Sequence, residues 1–195
     1  MSKGRLEAFT DGVIAIIITI VVLELPKIHG ATFAALNEAR EPLIIYVVSF
    51  VTLAIYWNNH HHLFQLAHKV DGLVLWMNNM FLFFLSLFPF ATSWMGDHLF
   101  AFAPQVTFGI IILFTDVSYF GLIQALLHVT KEHQHVKELF GSSKKMGITI
   151  GLNLLAIAFA FVLPILTMII NFLMILRWII PDKRIETIIR YNEED

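Results

Sequence analysis

The sequence predicts an all-α membrane protein with six transmembrane helices per subunit and both termini in the cytoplasm. Three observations carry that expectation. The first is composition: of 195 residues, 57% are hydrophobic and 14% are charged, against about 25% charged in a soluble domain. A mean hydropathy of +0.74 agrees. So little charge cannot cover a water-facing surface. The second is that the apolar residues fall in runs close to the roughly 20 residues a helix needs to cross a bilayer. The third is the placement of Lys and Arg along the chain. The same composition excludes a disordered chain. A net charge of −2 offers no basic surface for nucleic acid, and the absence of cysteine excludes disulfides and thiol chemistry.

The expected spans are residues 6–25, 42–62, 72–94, 105–128, 146–163 and 164–180, forming one domain over 1–195. The first run is apolar apart from Thr10, Asp11, Thr19 and Glu24. Asp11 opens its apolar stretch and no A-x-A-like site follows Leu25, so it reads as a mature helix rather than a cleaved signal. The second starts at Pro42, and its helix is expected to continue into water through His68. The third is rich in aromatics (Phe81, Phe83, Phe84, Phe88 and Phe90), which read as packing. The fourth carries Asp116 in its middle. From Met146 to Ile180 the apolar run is too long for one untilted span. Pro164 near its centre suggests two short helices joined by a tight turn, with one kinked helix as the other reading.

The six prolines, Pro26, Pro42, Pro89, Pro104, Pro164 and Pro181, lie at or near the ends of these runs. A missing N–H and a fixed φ do least harm there. No sustained period-2 alternation suggests a barrel. With a cytoplasmic N-terminus, the inner segments hold Lys3, Arg5, Lys69, Lys131, Lys137, Lys144, Lys145, Arg177, Lys183, Arg184 and Arg190. Only Lys27 and Arg40 are left outside. That bias sets the orientation and supports an even number of spans.

Ionisable groups in a bilayer need partners. Asp11 sits at the edge of the hydrocarbon, and the second helix ends in Trp57-Asn58-Asn59-His60-His61-His62-Leu63-Phe64. Trp57, His61, Phe64 and His68 share one helical face with His60 beside it, so an imidazole N–H is expected to reach Asp11. Asp116 is expected to face protein, and Asn79, Asn153 and Asn171 to bond between helices. The nine histidines include His60, His61, His62, His68, His128, His133 and His135. Their spacings do not reproduce the histidine boxes of membrane oxygenases or the i, i+4 pair of a helical zinc site, so no metal or other cofactor is expected.

There is no carbonyl-filter motif, no phosphate-binding loop and no serine elbow. A small membrane protein can still move ions if several copies each contribute a helix to a shared pore. In the first helix Val13, Ile16, Ile20 and Leu23 form one stripe with Thr19 at its border and Glu24 just beyond. Such a stripe could line a hydrophobic constriction, with Glu24 forming a negative ring at the outer mouth. Any wholly apolar helix also contains such a stripe, so periodicity alone leaves the question open.

Two motifs go further. Arg5-Leu-Glu-Ala-Phe9-Thr10-Asp11 resembles the R-x-x-x-F-S-D signature of the transmembrane-protein-175 potassium channels. Trp57-x-Asn59-His60-His61-x-Leu63-Phe64 resembles that family's W-x-N-H-H-x-L-F pattern, and Leu87-Phe88-Pro89-Phe90 also fits. Thr10 stands where the family usually has serine, and His62 where relatives often carry a basic residue. The resemblance implies a potassium-conducting channel, not an enzyme, embedded in the plasma membrane of a prokaryote. With one six-helix repeat per chain, it implies a homotetramer with potassium as the permeant ion. It places Ile16, Thr19, Ile20 and Leu23 along the pore. It makes Arg5, Phe9, Thr10, Asp11, Trp57, Asn59, His60 and His61 a scaffold and gating network. The competing expectations are a proton-coupled cation carrier using Asp11, Asp116 and the membrane-edge histidines, and a histidine-ligated membrane oxidoreductase.

Overall fold

The computed structural model describes residues 2–65, 67, 69–129 and 143–178. All of its regular structure is helical. Helix α1 spans Lys3–Leu23, and a short 3-10 helix, Ala35–Ala39, leads into α2, Arg40–Gln65. Then follow α3, Gly72–Leu85; α4, Phe88–Asp97; α5, Phe102–Val129; α6, Ser143–Phe159; and α7, Ile165–Leu176. Four stretches are long and apolar enough to cross a membrane: Lys3–Leu23, Ala35–Gln65, Gly72–Asp97 and Phe102–Val129. Met146–Phe159 and Ile165–Leu176 are shorter apolar helices.

Helix α5 is the centre of the bundle. It packs against α3, α4, α6 and α7, and its buried residues run around most of its circumference, from Gln105 and Phe108 to Leu122 and Leu126. A helix that is apolar all round belongs in such a place. Two glycines permit the close approaches. A Cβ at Gly109 would come within 2.8 Å of Ile157 and 2.9 Å of Thr167, and one at Gly121 within 2.9 Å of Met77. Helix α1 lies at the periphery against α2, α3 and α4. It buries a single stripe, Leu6, Thr10, Ile14, Ile17 and Val21.

The third expected span is not one continuous helix. It breaks at Ser86–Leu87 into α3 and α4. Pro89 in the first turn of α4 has no N–H to return to Leu85. The chain responds by tightening: the Leu87 N–H donates to the Phe84 carbonyl at 3.2 Å, and the Ser86 hydroxyl donates to the Phe83 carbonyl at 2.7 Å. Above the break, Ser49 and Thr92 share a 2.7 Å hydrogen bond that ties α4 to α2. Gly96 also lets α4 approach Pro42, since a Cβ there would lie 3.3 Å from the proline Cα.

Other boundaries shift for local reasons. Helix α5 begins at Phe102 rather than 105, because Pro104 is tolerated within a first turn. Helix α2 is described to Gln65, beyond which the Ala67 N–H closes a short turn on the Phe64 carbonyl at 3.1 Å; the expected continuation runs to His68. His68 lies outside the described residues. So do His133 and His135, Pro181, and Lys131, Lys137, Lys183, Arg184 and Arg190 of the charge count. The run around Pro164 forms a helical hairpin, not one kinked helix. Residues 160–164 turn, α6 and α7 pack together, and the Thr167 hydroxyl donates to the Ala156 carbonyl at 2.9 Å.

Gly109→Ala should lower the melting temperature in detergent, as an overpacked contact of about 1–3 kcal/mol outweighs the better helix propensity. Gly151→Ala, whose Cβ would meet nothing within 4 Å, should leave melting unchanged or raise it slightly.

Candidate functional site

Burying one stripe of α1 determines what the helix shows outward. Ile16 is 60% exposed, Ile20 38% and Leu23 78%, and Thr19 is exposed beside them. They form an apolar line turned away from the helix's own bundle, while Val13 at its edge is half buried and packs on the core. The Thr19 hydroxyl donates to the Ile16 carbonyl at 2.8 Å. Its hydrogen is thereby committed, and its oxygen presents only lone pairs. Glu24 caps the C-terminal end and is exposed.

The other end of α1 is held by two polar connections. Asp11 Oδ1 accepts from Trp57 Nε1 at 2.8 Å. One residue earlier on α1, the buried Thr10 Oγ1 accepts from Asn78 Nδ2 at 2.9 Å, and Asn78 Oδ1 accepts from His60 Nε2 at 2.9 Å. An amide oxygen can only accept, so the His60 hydrogen sits on Nε2. The imidazole stacks on Phe64, with ring centres 4.4 Å apart, and lies parallel to Phe81 at 6.0 Å. Helices α1, α2 and α3 are thus joined through three uncharged, buried side chains.

The expected imidazole on Asp11 is replaced by an indole. The buried face of α2 runs through Ser49, Thr52, Tyr56, His60 and Phe64, which turns His60 inward and leaves Trp57 and His61 on the open side. There the His61 ring stacks on Trp57 at 5.9 Å and its Nε2 accepts from Gln65 Nε2 at 3.0 Å. Asn59 donates to the Ile55 carbonyl at 2.8 Å and to the Trp178 carbonyl at 3.3 Å, tying α2 to the chain beyond α7. Arg5 and Phe9 are exposed on α1. Of the expected network, Asp11 pairs with Trp57, Thr10 and His60 meet through Asn78, and His61 stacks beside Trp57, whereas Asn59 bonds elsewhere and Arg5 and Phe9 are exposed.

Asparagine assignments on α3 reverse. Asn79, expected to bond between helices, is exposed, whereas Asn78 is fully buried and forms the bridge. The α3 stripe of Val74, Asn78, Phe81, Leu82 and Leu85 includes Asn78 at helical spacing, so the signal was present in the periodicity. Asp116 does face protein, and its partner is Tyr56, whose hydroxyl donates to Oδ1 at 2.6 Å. Sixty residues separate the two, and no local pattern could pair them. Tyr56 and Trp57, neighbours on α2, consequently grip carboxylates on α5 and α1 respectively.

Asn78→Ala should strand the Thr10 hydroxyl and His60 Nε2 in the core and cost about 1–3 kcal/mol, read as a lower melting temperature in detergent. Asn79→Ala should change melting by no more than about 0.5 kcal/mol equivalent.

Comparison with known proteins gives a consistent result. Residues 5–89 match the family described as endosomal/lysosomal potassium channel TMEM175. A protein from Chryseobacterium sp. named as a potassium channel is 44% identical over 192 residues, covering 98% of this chain and all of the relative. A chicken protein named endosomal/lysosomal proton channel TMEM175 is 35% identical over 103 residues, covering 47% of this chain and 21% of that longer protein. The crystal structure of a lysosomal potassium-selective channel TMEM175 homolog from Chamaesiphon minutus superposes with a TM-score of 0.76 at 26% identity, covering 90% of this chain and 95% of that one. The protein is a member of the TMEM175 family.

Proposed function

We propose that the protein is a potassium-conducting channel assembled from four copies, with the constriction formed by α1 of each. The observation that carries this reading is the outward line of Ile16, Ile20 and Leu23. The helix is anchored at Thr10 and Asp11, yet it carries a second line of large aliphatic residues on a face that its own bundle does not cover. Four such faces around an axis would make a narrow apolar ring. Water is easily expelled from such a ring, and a cation crosses it only by shedding part of its hydration shell. Potassium holds that shell less tightly than sodium, so dehydration favours potassium without any chelating carbonyls. The Thr19 oxygen would offer a polar contact beside the apolar ring, and Glu24 would attract cations to the outer mouth.

In this reading α1, α2, the broken α3–α4 unit, α5, α6 and α7 make six spans in the plasma (inner) membrane of a prokaryote. Both termini are cytoplasmic, and the Asp11–Trp57 end of α1 lies at the inner face. The excess of Lys and Arg in the segments assigned to that side supports it. At about 1.5 Å per residue, α7 alone rises about 18 Å, so it would need a thinned or sheltered environment to cross. The names of the Chryseobacterium and Chamaesiphon relatives support potassium as the permeant ion. The name of the vertebrate relative favours a second reading in which protons also pass; a narrow pore that excludes hydrated sodium can still conduct protons along a transient water chain.

Passive ion flux into proteoliposomes holding the purified protein tests this, with potassium, sodium and protons followed in parallel. Potassium flux exceeding sodium flux without coupling is the expected result. Flux that requires a proton gradient would replace the channel with a carrier. Ile16→Asn should wet the constriction and raise sodium flux toward that of potassium, by about tenfold if roughly 1.4 kcal/mol of dehydration barrier is removed. Unchanged selectivity and conductance would remove Ile16 from the constriction.

A further inference from the structure

Asp116 is not needed by the pore described above, and its placement asks for an explanation. It lies in the body of α5 at 5% exposure. Oδ1 accepts the Tyr56 hydroxyl, while Oδ2 is buried with no hydrogen-bond partner. The side chains around it are neutral. From α2 comes Tyr56, and from α6 the fully buried Asn153, whose amide lies beside the carboxyl and, when turned to satisfy both its atoms, bridges the Gly109 carbonyl at 3.2 Å and the Leu113 N–H at 3.3 Å. Thr115 and Ser118 donate back to carbonyls of α5 itself. Tyr119, one turn on, is titratable and its hydroxyl is also buried without a partner, and His60, one turn from Tyr56 on the buried face of α2, is the titratable group that this helix adds.

Among the described residues, no cation is paired with this carboxyl. Helices α3 and α7 contain no Asp, Glu, Lys, Arg or His. Helix α4 contributes only Asp97 at its C-terminal end, and α6 only Lys144 and Lys145 in its first turn. The remaining ionisable group of α5, His128, is three turns away near its end. Removing a charge from water without a counter-charge is unfavourable enough that such a group either binds a cation or is neutralised. A metal cation would need several converging oxygens, and among the described residues no group of three or more His, Cys, Asp or Glu side chains could hold one. A proton needs only the free oxygen. It removes the charge.

We infer that Asp116 is a proton-binding site in the core of each subunit, apart from the pore, whose loading is relayed to α1 through Tyr56 and Trp57. Loading forms an O–H bond on Oδ2 with a proton taken from hydronium, leaving water behind. The Tyr56 hydroxyl then donates to a neutral acid instead of a carboxylate, and a charge-assisted bond becomes an ordinary one. Tyr56 loosens on α5 while the adjacent Trp57 still holds Asp11, so α2 can shift and take α1 with it. The relay rests on the channel reading; the proton site does not.

Infrared difference spectra of the protein in lipid bilayers, acid minus alkaline, test the site. A carboxylic-acid carbonyl band is expected in the wild type, lost in Asp116→Asn and shifted in Tyr56→Phe, which keeps the carboxyl but removes its donor. A spectrum that neither variant alters overturns the proton site. The pH dependence of potassium flux tests the relay: a flattened profile is expected in Asp116→Asn, and a profile identical to wild type overturns it. If the wild type passes no potassium, the channel reading falls while the infrared result still decides Asp116.

Discussion

Within a bilayer a polar side chain cannot fall back on water, so one that does not bond back to its own helix commits that helix to a neighbour that can answer it. Helix α2 meets most of these commitments. Over five residues it presents Tyr56 to Asp116 on α5, Trp57 to Asp11 on α1, and His60 to Asn78 on α3, which in turn holds Thr10 of α1. Successive residues on a helix point in directions about 100° apart, and that is why one short segment can hold three different helices. The arrangement of the bundle around α1 follows from those bonds more than from apolar contact, which is non-directional and would tolerate many rotations.

The same bonds explain how α1 can be peripheral yet fixed. Its apolar stripe from Leu6 to Val21 supplies attachment, but apolar packing alone would not determine which face is left outside. Thr10 directed at Asn78 and Asp11 directed at Trp57 set the rotation. With the rotation set, Ile16, Thr19, Ile20 and Leu23 are turned outward together. Two signature residues, Thr10 and Asp11, and the candidate constriction are thus two aspects of one constraint: the pair orients the helix, and the apolar line is what the orientation exposes.

The broken third span serves the same geometry. Its lower half, α3, carries Asn78 to α1 and packs along α5, whereas its upper half, α4, is tied to α2 by Ser49 and Thr92. Pro89 removes one N–H from the backbone ladder at the interruption, and the Ser86 hydroxyl satisfies a carbonyl beside it. The aromatic residues of this span divide accordingly: Phe81 and Phe88 fill the core, and Phe83 and Phe90 remain exposed.

Much of this was written in one dimension. Composition, run lengths and proline positions determine an all-helical membrane protein and locate its apolar segments, because the bilayer imposes a length and the backbone a period, and both are local properties. The outward stripe of α1 is visible for the same reason. Local patterns could not assign partners. Trp57 and His61 lie one turn apart on the same open face of α2, so which of them meets Asp11 depends on where along α2 the first helix packs, and that is a property of the bundle. Asn78 and Asn79 are adjacent and chemically identical, and only the packing of α3 against α1 and α2 separates the buried bridge from the exposed neighbour. Tyr56 and Asp116 lie sixty residues apart; their pairing exists only where two helices cross. Local pattern thus locates the apolar segments and their faces, whereas the pairing of polar groups arises only in the packed bundle, because a hydrogen bond requires a distance and a direction that no single helix contains.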